Sequence, residues 1–135
     1  MNNLFVLLII IALSVGSNNG SKLWPKNQLH FRNSFSRNYD VLTVHCKSKD
    51  DDLGIHTVAR SYEYNFKFED SVFGRTEFFC TLMHGVGSKY SVTFTAYKAK
   101  PAFVASTGVI KIWDALDDGI YLTDEDHDFV KIYGW

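Results

Sequence analysis

Beyond its first seventeen positions the chain is patterned with period two. The cleanest stretch is 62–69, where Tyr62, Tyr64, Phe66 and Phe68 alternate with Glu63, Asn65, Lys67 and Glu69. That alternation describes a strand with one face in a core and the other in water. Residues 41–47 set Leu42, Val44 and Cys46 against Val41, Thr43 and His45. In 76–83, Phe78, Cys80 and Leu82 share a face, and 90–97 sets Tyr90, Val92, Phe94 and Ala96 against Ser91, Thr93, Thr95 and Tyr97. Shorter strands are predicted at 28–31, 55–58, 110–116, 120–122 and 129–133, with Asp117-Asp118-Gly119 marking a hairpin turn. No segment carries a helical period of convincing length. Seven to nine short strands at fairly regular spacing predict an all-β, single-domain antiparallel β-sandwich.

The breaks in the pattern are as informative as the strands. After Lys47 the chain reads Ser48, Lys49, Asp50, Asp51, Asp52, Leu53, Gly54, a run whose repelling carboxylates and terminal glycine suit a solvated loop. Residues 84–88, His-Gly-Val-Gly-Ser, form a glycine-rich turn without the helix or the GKS/GKT needed for a phosphate cradle. Residues 98–107 interrupt alternation and are expected to cross between strands as a longer connection.

The chain opens MNNLFVLLIIIALSVGS, whose apolar run is too short to span a bilayer of roughly 30 Å. It predicts a cleaved signal peptide over 1–17, a secreted extracellular product and no membrane insertion. Residues 18–135 then constitute one domain. Fourteen basic groups against fifteen acidic ones leave nothing that marks a binder of nucleic acid. Aromatics at 16% with only two prolines reinforce the strands. In a secreted chain the two cysteines, Cys46 and Cys80, are most simply a disulfide. Closing that loop is worth about 4 kcal/mol by chain entropy. Asn19-Gly20-Ser21 matches the glycosylation sequon, making Asn19 a possible acceptor.

In combination, HCKSKDDDLG, the aromatic alternation of YEYNFKF and the second cysteine inside GRTEFFCTL resemble the plant self-incompatibility S-protein homologues, small secreted proteins related to the stigma S protein of poppy. The resemblance runs from about Leu29 to Trp135. It implies the same sandwich fold and an extracellular recognition ligand that binds a plasma-membrane receptor, in the manner of self-pollen rejection. Many members carry two further cysteines toward the C-terminus. The corresponding VIKIWDALDDGIYL has none, so a second bridge is not expected here. The loop of Lys49, Asp50, Asp51, Asp52, Leu53 and Gly54 becomes the candidate receptor contact, because loops on a rigid scaffold vary without disturbing the core. Scaffold and contact stand as equal readings of that loop. The protein is expected to be a monomer.

Other constellations give no chemistry. Asp124, Asp126 and Asp128 have the spacing that opens a calcium loop, but Phe129 stands where glycine is needed and Trp135 where a bidentate glutamate belongs. They are taken as a solvated loop, without a metal. The five histidines, at 30, 45, 56, 84 and 127, match no zinc motif, and His45 points away from Cys46 on its strand. No catalytic residue and no cofactor is assigned, and the chain is not expected to be an enzyme. A carbohydrate- or wall-binding module, or a defence protein, is the alternative class.

Overall fold

The computed structural model describes residues 24–71, 75–100 and 106–135. The predicted leader, Asn19, part of the turn before Arg75 and part of the 98–107 connection lie outside them. Nine strands follow in order: β1 (Asn27–Asn33), β2 (Leu42–Lys47), β3 (Asp52–Val58), β4 (Glu63–Phe68), β5 (Glu77–His84), β6 (Tyr90–Lys98), β7 (Ile110–Leu116), β8 (Gly119–Thr123) and β9 (Val130–Gly134). They form two sheets, β4-β1-β7-β8-β9 and β3-β2-β5-β6. Every pairing is antiparallel except β1–β7, which is parallel. A parallel neighbour needs a long crossover, and here the chain visits the other sheet between the two strands.

The in-facing residues are those of the alternation. Leu29 and Phe31, Leu42, Val44 and Cys46, Cys80 and Leu82, Phe94 and Ala96, Trp113 and Ala115, Ile120 and Leu122 are all buried in one core. Of the aromatic stripe, Tyr64, Phe66 and Phe68 pack against that core, with Phe66 and Phe68 edge-on to Phe78 at 5.1 and 4.7 Å. Rings engaged edge-to-face inside a core are not a platform for stacking sugars. Tyr62 does not join them. The chain turns through Ser61 at φ 71°, Tyr62 N–H donates to Ala59 C=O at 3.0 Å, and the ring is 70% exposed.

Two further expectations change. Alternation puts Tyr97 with the polar residues of its strand, yet it is buried beside Ala96, because the β5–β6 register shifts between Phe78 and Phe79 and the bulge turns it inward. The Asp117-Asp118-Gly119 pattern predicts Gly119 in the turn. The turn is Asp117-Asp118, since Leu116 pairs with Gly119. A Cβ on Gly119 would lie 2.2 Å from the Tyr133 carbonyl, so this glycine permits the close approach of β9.

The pairings define two ends. At one lie the β2–β3 hairpin, the β4–β5 and β6–β7 connections and the β8–β9 turn; at the other lie the 34–41 connection, the 85–89 turn, Asp117-Asp118 and Trp135. β1 carries a buried asparagine at each end. Asn27 Nδ2 donates to Asp70 Oδ1 at 3.1 Å and the Ser106 carbonyl at 3.0 Å, and its Oδ1 accepts from Val109 N–H at 3.0 Å. Asn33 Nδ2 donates to the Asp40 and Val58 carbonyls, both at 2.9 Å, and its Oδ1 accepts from Phe35 N–H at 3.0 Å.

Candidate recognition site

Cys46 and Cys80 are directly opposed on β2 and β5 and form the disulfide, with Cα atoms 4.0 Å apart. The bridge lies within one sheet, one residue before the hairpin that carries the acidic run. Lys47 pairs with Asp52, and inside that pair Ser48 N–H donates to Asp51 C=O at 2.8 Å. The tip is therefore Lys49-Asp50. Asp51 N–H is taken by Ser48 Oγ at 3.1 Å.

Behind the tip the expected loop ends earlier than the sequence suggested. Asp52, Leu53 and Gly54 belong to β3. The register skips between His45–Ile55 and Lys47–Asp52, so Leu53 and Gly54 together face Cys46, and Gly54 has φ 81°. This is a bulge of the kind glycine permits. Asp52 Oδ1 accepts from Gly54 N–H at 2.9 Å and from His45 Nε2 at 2.7 Å. These two bonds, the backbone one first, hold its carboxyl below the usual carboxylate range. Leu53 packs against the core, and its carbonyl accepts from His56 Nε2 at 2.8 Å. Asp52, Leu53 and Gly54 are thus built into the sheet, Asp52 and Gly54 while still exposed, whereas Lys49, Asp50 and Asp51 are exposed outside it. Neither Asp50 nor Asp51 has a side-chain hydrogen bond or ion pair to another described residue.

The structure places the acidic segment 124–128 at the same end as this hairpin and the His84–Ser88 turn at the other. A cleft of about 390 Å³ separates the hairpin from the β4–β5 connection, lined by Ser48, Lys49 and Asp50 on one side and Ser71, Thr76 and Glu77 on the other. The acids of 124–128 are not uniformly solvated as expected. The Asp124 side chain is only 5% exposed. Its Oδ2 accepts from Lys111 Nζ at 2.6 Å, and its Oδ1 accepts from the His127 ring at 2.7 Å and from the Asp126 and His127 N–H groups. Burial pushes this carboxyl up, but the Lys111 ammonium and the His127 ring outweigh it and hold it at about 2. Asp124 therefore builds the β8–β9 turn, while Asp126 and Asp128 remain exposed.

The histidines also have structural partners. His30 bonds Glu63 at 2.6 Å and Gln28 at 2.9 Å, and the His56 ring stacks on Tyr64 with centroids 3.9 Å apart. His84 lies among Phe35, Tyr90 and Trp135. Sequence reasoning missed Asn27 and Asn33. Their signal is positional: both fall on the in-facing phase of Leu29 and Phe31, where a polar residue must find partners.

Together the fold and this hairpin define a small disulfide-stapled β-sandwich that presents loops at two ends. Among the described residues no group of three or more His, Cys, Asp or Glu could hold a metal, and no helix is long and apolar enough to cross a membrane. The sequence profile of the plant self-incompatibility protein S1 family matches residues 28–135, and the chain belongs to that family. It is 76% identical over 136 residues to S-protein homolog 7 of Arabidopsis thaliana, covering all of both chains. It is 27% identical over 131 residues to self-incompatibility protein S1 of Papaver rhoeas, covering 97% of this chain and 91% of that one. A solved structure of SPH (self-incompatibility protein homologue) proteins, described as "a widespread family of small, highly stable, secreted proteins from plants", superposes with a TM-score of 0.66 at 19% identity. The superposition covers 83% of this chain and 96% of that one, a likeness of fold.

Proposed function

We propose that this protein is a secreted plant recognition ligand of the self-incompatibility type, which binds a receptor protein on the plasma membrane through Lys49, Asp50 and Asp51. A signal peptide of residues 1–17 delivers it outside the cell, where an oxidising environment suits the Cys46–Cys80 bridge, and Asn19 is its glycosylation acceptor. It acts by binding and not by catalysis. The observation that carries this reading is the division of the acidic hairpin. Asp52, Leu53 and Gly54 are engaged in the scaffold, whereas the carboxylates of the two aspartates at and beside the tip bond no other described residue. Because the disulfide, the bulge and the His45–Asp52 bond fix the base, little conformational freedom remains to be lost on binding. Exposed like charges on such a tip steer a partner of opposite sign and set specificity.

The test is binding of the tagged, secreted protein to living plant cells, scored by proximity labelling of surface proteins. Replacing Asp50→Asn and Asp51→Asn together lowers binding by about five- to tenfold, the size of one or two lost charged contacts. Unchanged binding by the folded double variant assigns the tip to the scaffold and removes the contact.

A further inference from the structure

The end of the sandwich opposite the acidic hairpin carries a hollow of about 530 Å³ that the receptor reading does not use. Its walls include the Tyr39, Tyr90 and Trp135 rings, the Asp40 and Asp117 carboxylates and the Arg37 guanidinium. Its two carboxylates are matched by the Arg37 guanidinium and by Lys89 over Tyr90 at the rim, and Asp117 is bonded to Ser36, so Asp40 is the lining carboxylate with no hydrogen bond to another described residue. The rim is apolar and exposed: Val86 is 97% and Tyr39 73% accessible, and Tyr90 also faces solvent. An apolar rim around an aromatic-lined hollow is the anatomy of a hot spot, not of an ordinary turn.

The walls are held in place before any partner arrives. Gly85, Gly87 and Ser88 all have positive φ, at 85°, 64° and 55°, with Ser88 N–H closed onto Gly85 C=O at 3.1 Å. That strained turn pushes Val86 into solvent, where it supports nothing in the core. A non-glycine residue such as Ser88 in the left-handed region is strained, and such local strain clusters at functional sites. On the other wall, Arg60 Nε donates to the Phe35 carbonyl at 3.0 Å, Ser36 is bonded to Asp117, and Asn33 holds the Asp40 carbonyl. The floor is the Trp135 ring, whose Nε1 donates to Leu116 C=O at 2.7 Å. The Tyr90 face suits a cation, since Lys89 Nζ lies 5.4 Å from its ring centroid, and a docked basic side chain displaces that exposed lysine. The His84 ring behind it is kept neutral by burial against the pull of Asp40 and Asp117, so it does not repel a second cation.

We propose that this hollow is a second docking site, which takes a lysine or arginine side chain of a partner protein, the cation facing Asp40 and lying against the Tyr90 and Trp135 rings. Cation–π contact and an unengaged carboxylate discriminate a basic side chain from an isosteric apolar one. The apolar stem of that side chain covers Val86 and Tyr39, as long basic residues do elsewhere. The site lies at the far end from Lys49, Asp50 and Asp51, so the two contacts are independent and one molecule can touch two partners.

The probe is a tetralysine peptide titrated into isotopically labelled protein and followed by nuclear magnetic resonance, with tetra-norleucine made soluble by flanking glutamines as the apolar control. Saturable shifts at Tyr39, Asp40, Val86, Tyr90 and the Trp135 indole N–H are expected with tetralysine and not with the control. Asp40→Asn, whose side chain makes no hydrogen bond to another described residue, weakens the peptide at least threefold with the melting temperature unchanged. Val86→Lys, at a side chain 97% exposed and so close to neutral for folding, weakens the shifts at the hollow by like-charge repulsion while sparing any at 124–128. Shifts confined to the acidic segment 124–128, no saturable shift, equal response to the control, or an affinity unaffected by Asp40→Asn would each overturn the proposal.

Discussion

Asn27 and Asn33 begin and end the same strand, each 1% exposed, and each ties together the connections of its own end. They do so with different chemistry. Asn27 works inside a charged network: Tyr97 donates to Asp70 Oδ1 at 2.6 Å, and Asp70 Oδ2 accepts from Ser106 N–H at 3.1 Å. Asp124 with Lys111 and His127, and Asp52 with His45, extend that style across the same end. Asn33 bonds only backbone groups, and the packing around it is aromatic, with Phe35 4.5 Å from His84 and 6.0 Å from Trp135. The Asn27 end thus leans on the hydrogen bonds of Asp70 and the buried Asp124 ion pair beside its Phe68, Phe78 and Tyr97 rings, while the Asn33 end leans more on rings, with Ser36–Asp117 and Lys131–Asp118 contacts nearer its surface. The ends should therefore fail under different conditions.

The largest effect cuts across both. Replacing Cys46 and Cys80 by Ala releases the loop closed by 34 residues of separation, and stability falls by about 4 kcal/mol. Urea unfolding measures it, and the loss is global, because β2 and β5 are central in their sheet. A change confined to exchange of the hairpin amides would show that the bridge serves only the acidic end. Next come Asn27→Ala and Asn33→Ala, each costing about 3 kcal/mol for orphaned buried partners. Hydrogen exchange separates them. Asn27→Ala loosens 106–109 and Asp70, and Asn33→Ala loosens 34–40 and 58–62. Identical protection patterns in the two variants would abolish the distinction between the ends.

Acid sharpens the comparison further, at a smaller scale. His84 is held below its usual 6.5 by burial, with Asp40 and Asp117 opposing. The unfolded chain takes up this proton first, so its contribution is present above about pH 6.5 and fades as pH falls below it. Asp124 sits at about 2 against an ordinary 3.8. Its contribution, about 1–2 kcal/mol after allowance for the solvent at its edge, is present above about pH 4 and is lost as pH falls toward 2. Protection factors, with the intrinsic slowing of amide exchange in acid divided out, should therefore fall first around Trp135 and only later around the β8–β9 turn as pH is lowered from 7. The reverse order would refute the greater weight of rings at one end and of ions at the other.

What the sequence could and could not disclose follows the same physics. Alternation around Leu42, Phe78 and Phe94 is local and strong, so the strands and the in-facing cysteines were legible. Pairing is not local. Nothing in 27–33 or 110–116 announces that they lie side by side in parallel. Glycine is ambiguous by nature, since it serves both positive φ and close approach. Gly54 and Gly119 each look like loop punctuation, yet one makes a bulge and the other admits a neighbouring carbonyl. Three consecutive aspartates look alike on paper, and only the bulge at Gly54 reveals that Asp52 is a bonded strand residue.

That last distinction gives the smallest predicted effect on stability and the one closest to function. The carboxylates of Asp50 and Asp51 are exposed and bond no other described residue, so replacing both by Asn, which leaves the backbone bonds of Asp51 to Ser48 in place, should change stability by no more than about 0.5 kcal/mol, as for surface sites without a structural role. Removing two like charges from adjacent positions relieves some repulsion, which keeps the sign close to neutral or slightly favourable. Asp52→Asn differs in kind: the amide accepts from Gly54 N–H less strongly than a carboxylate and loses the charge facing His45, so the hairpin amides from Lys47 to Gly54 should exchange faster. Exchange measured on the two variants side by side decides the matter. Faster exchange in the Asp50/Asp51 variant, or none in Asp52→Asn, would mean that the tip and its base are one structural unit, and a binding loss at the tip could no longer be separated from a loosened hairpin.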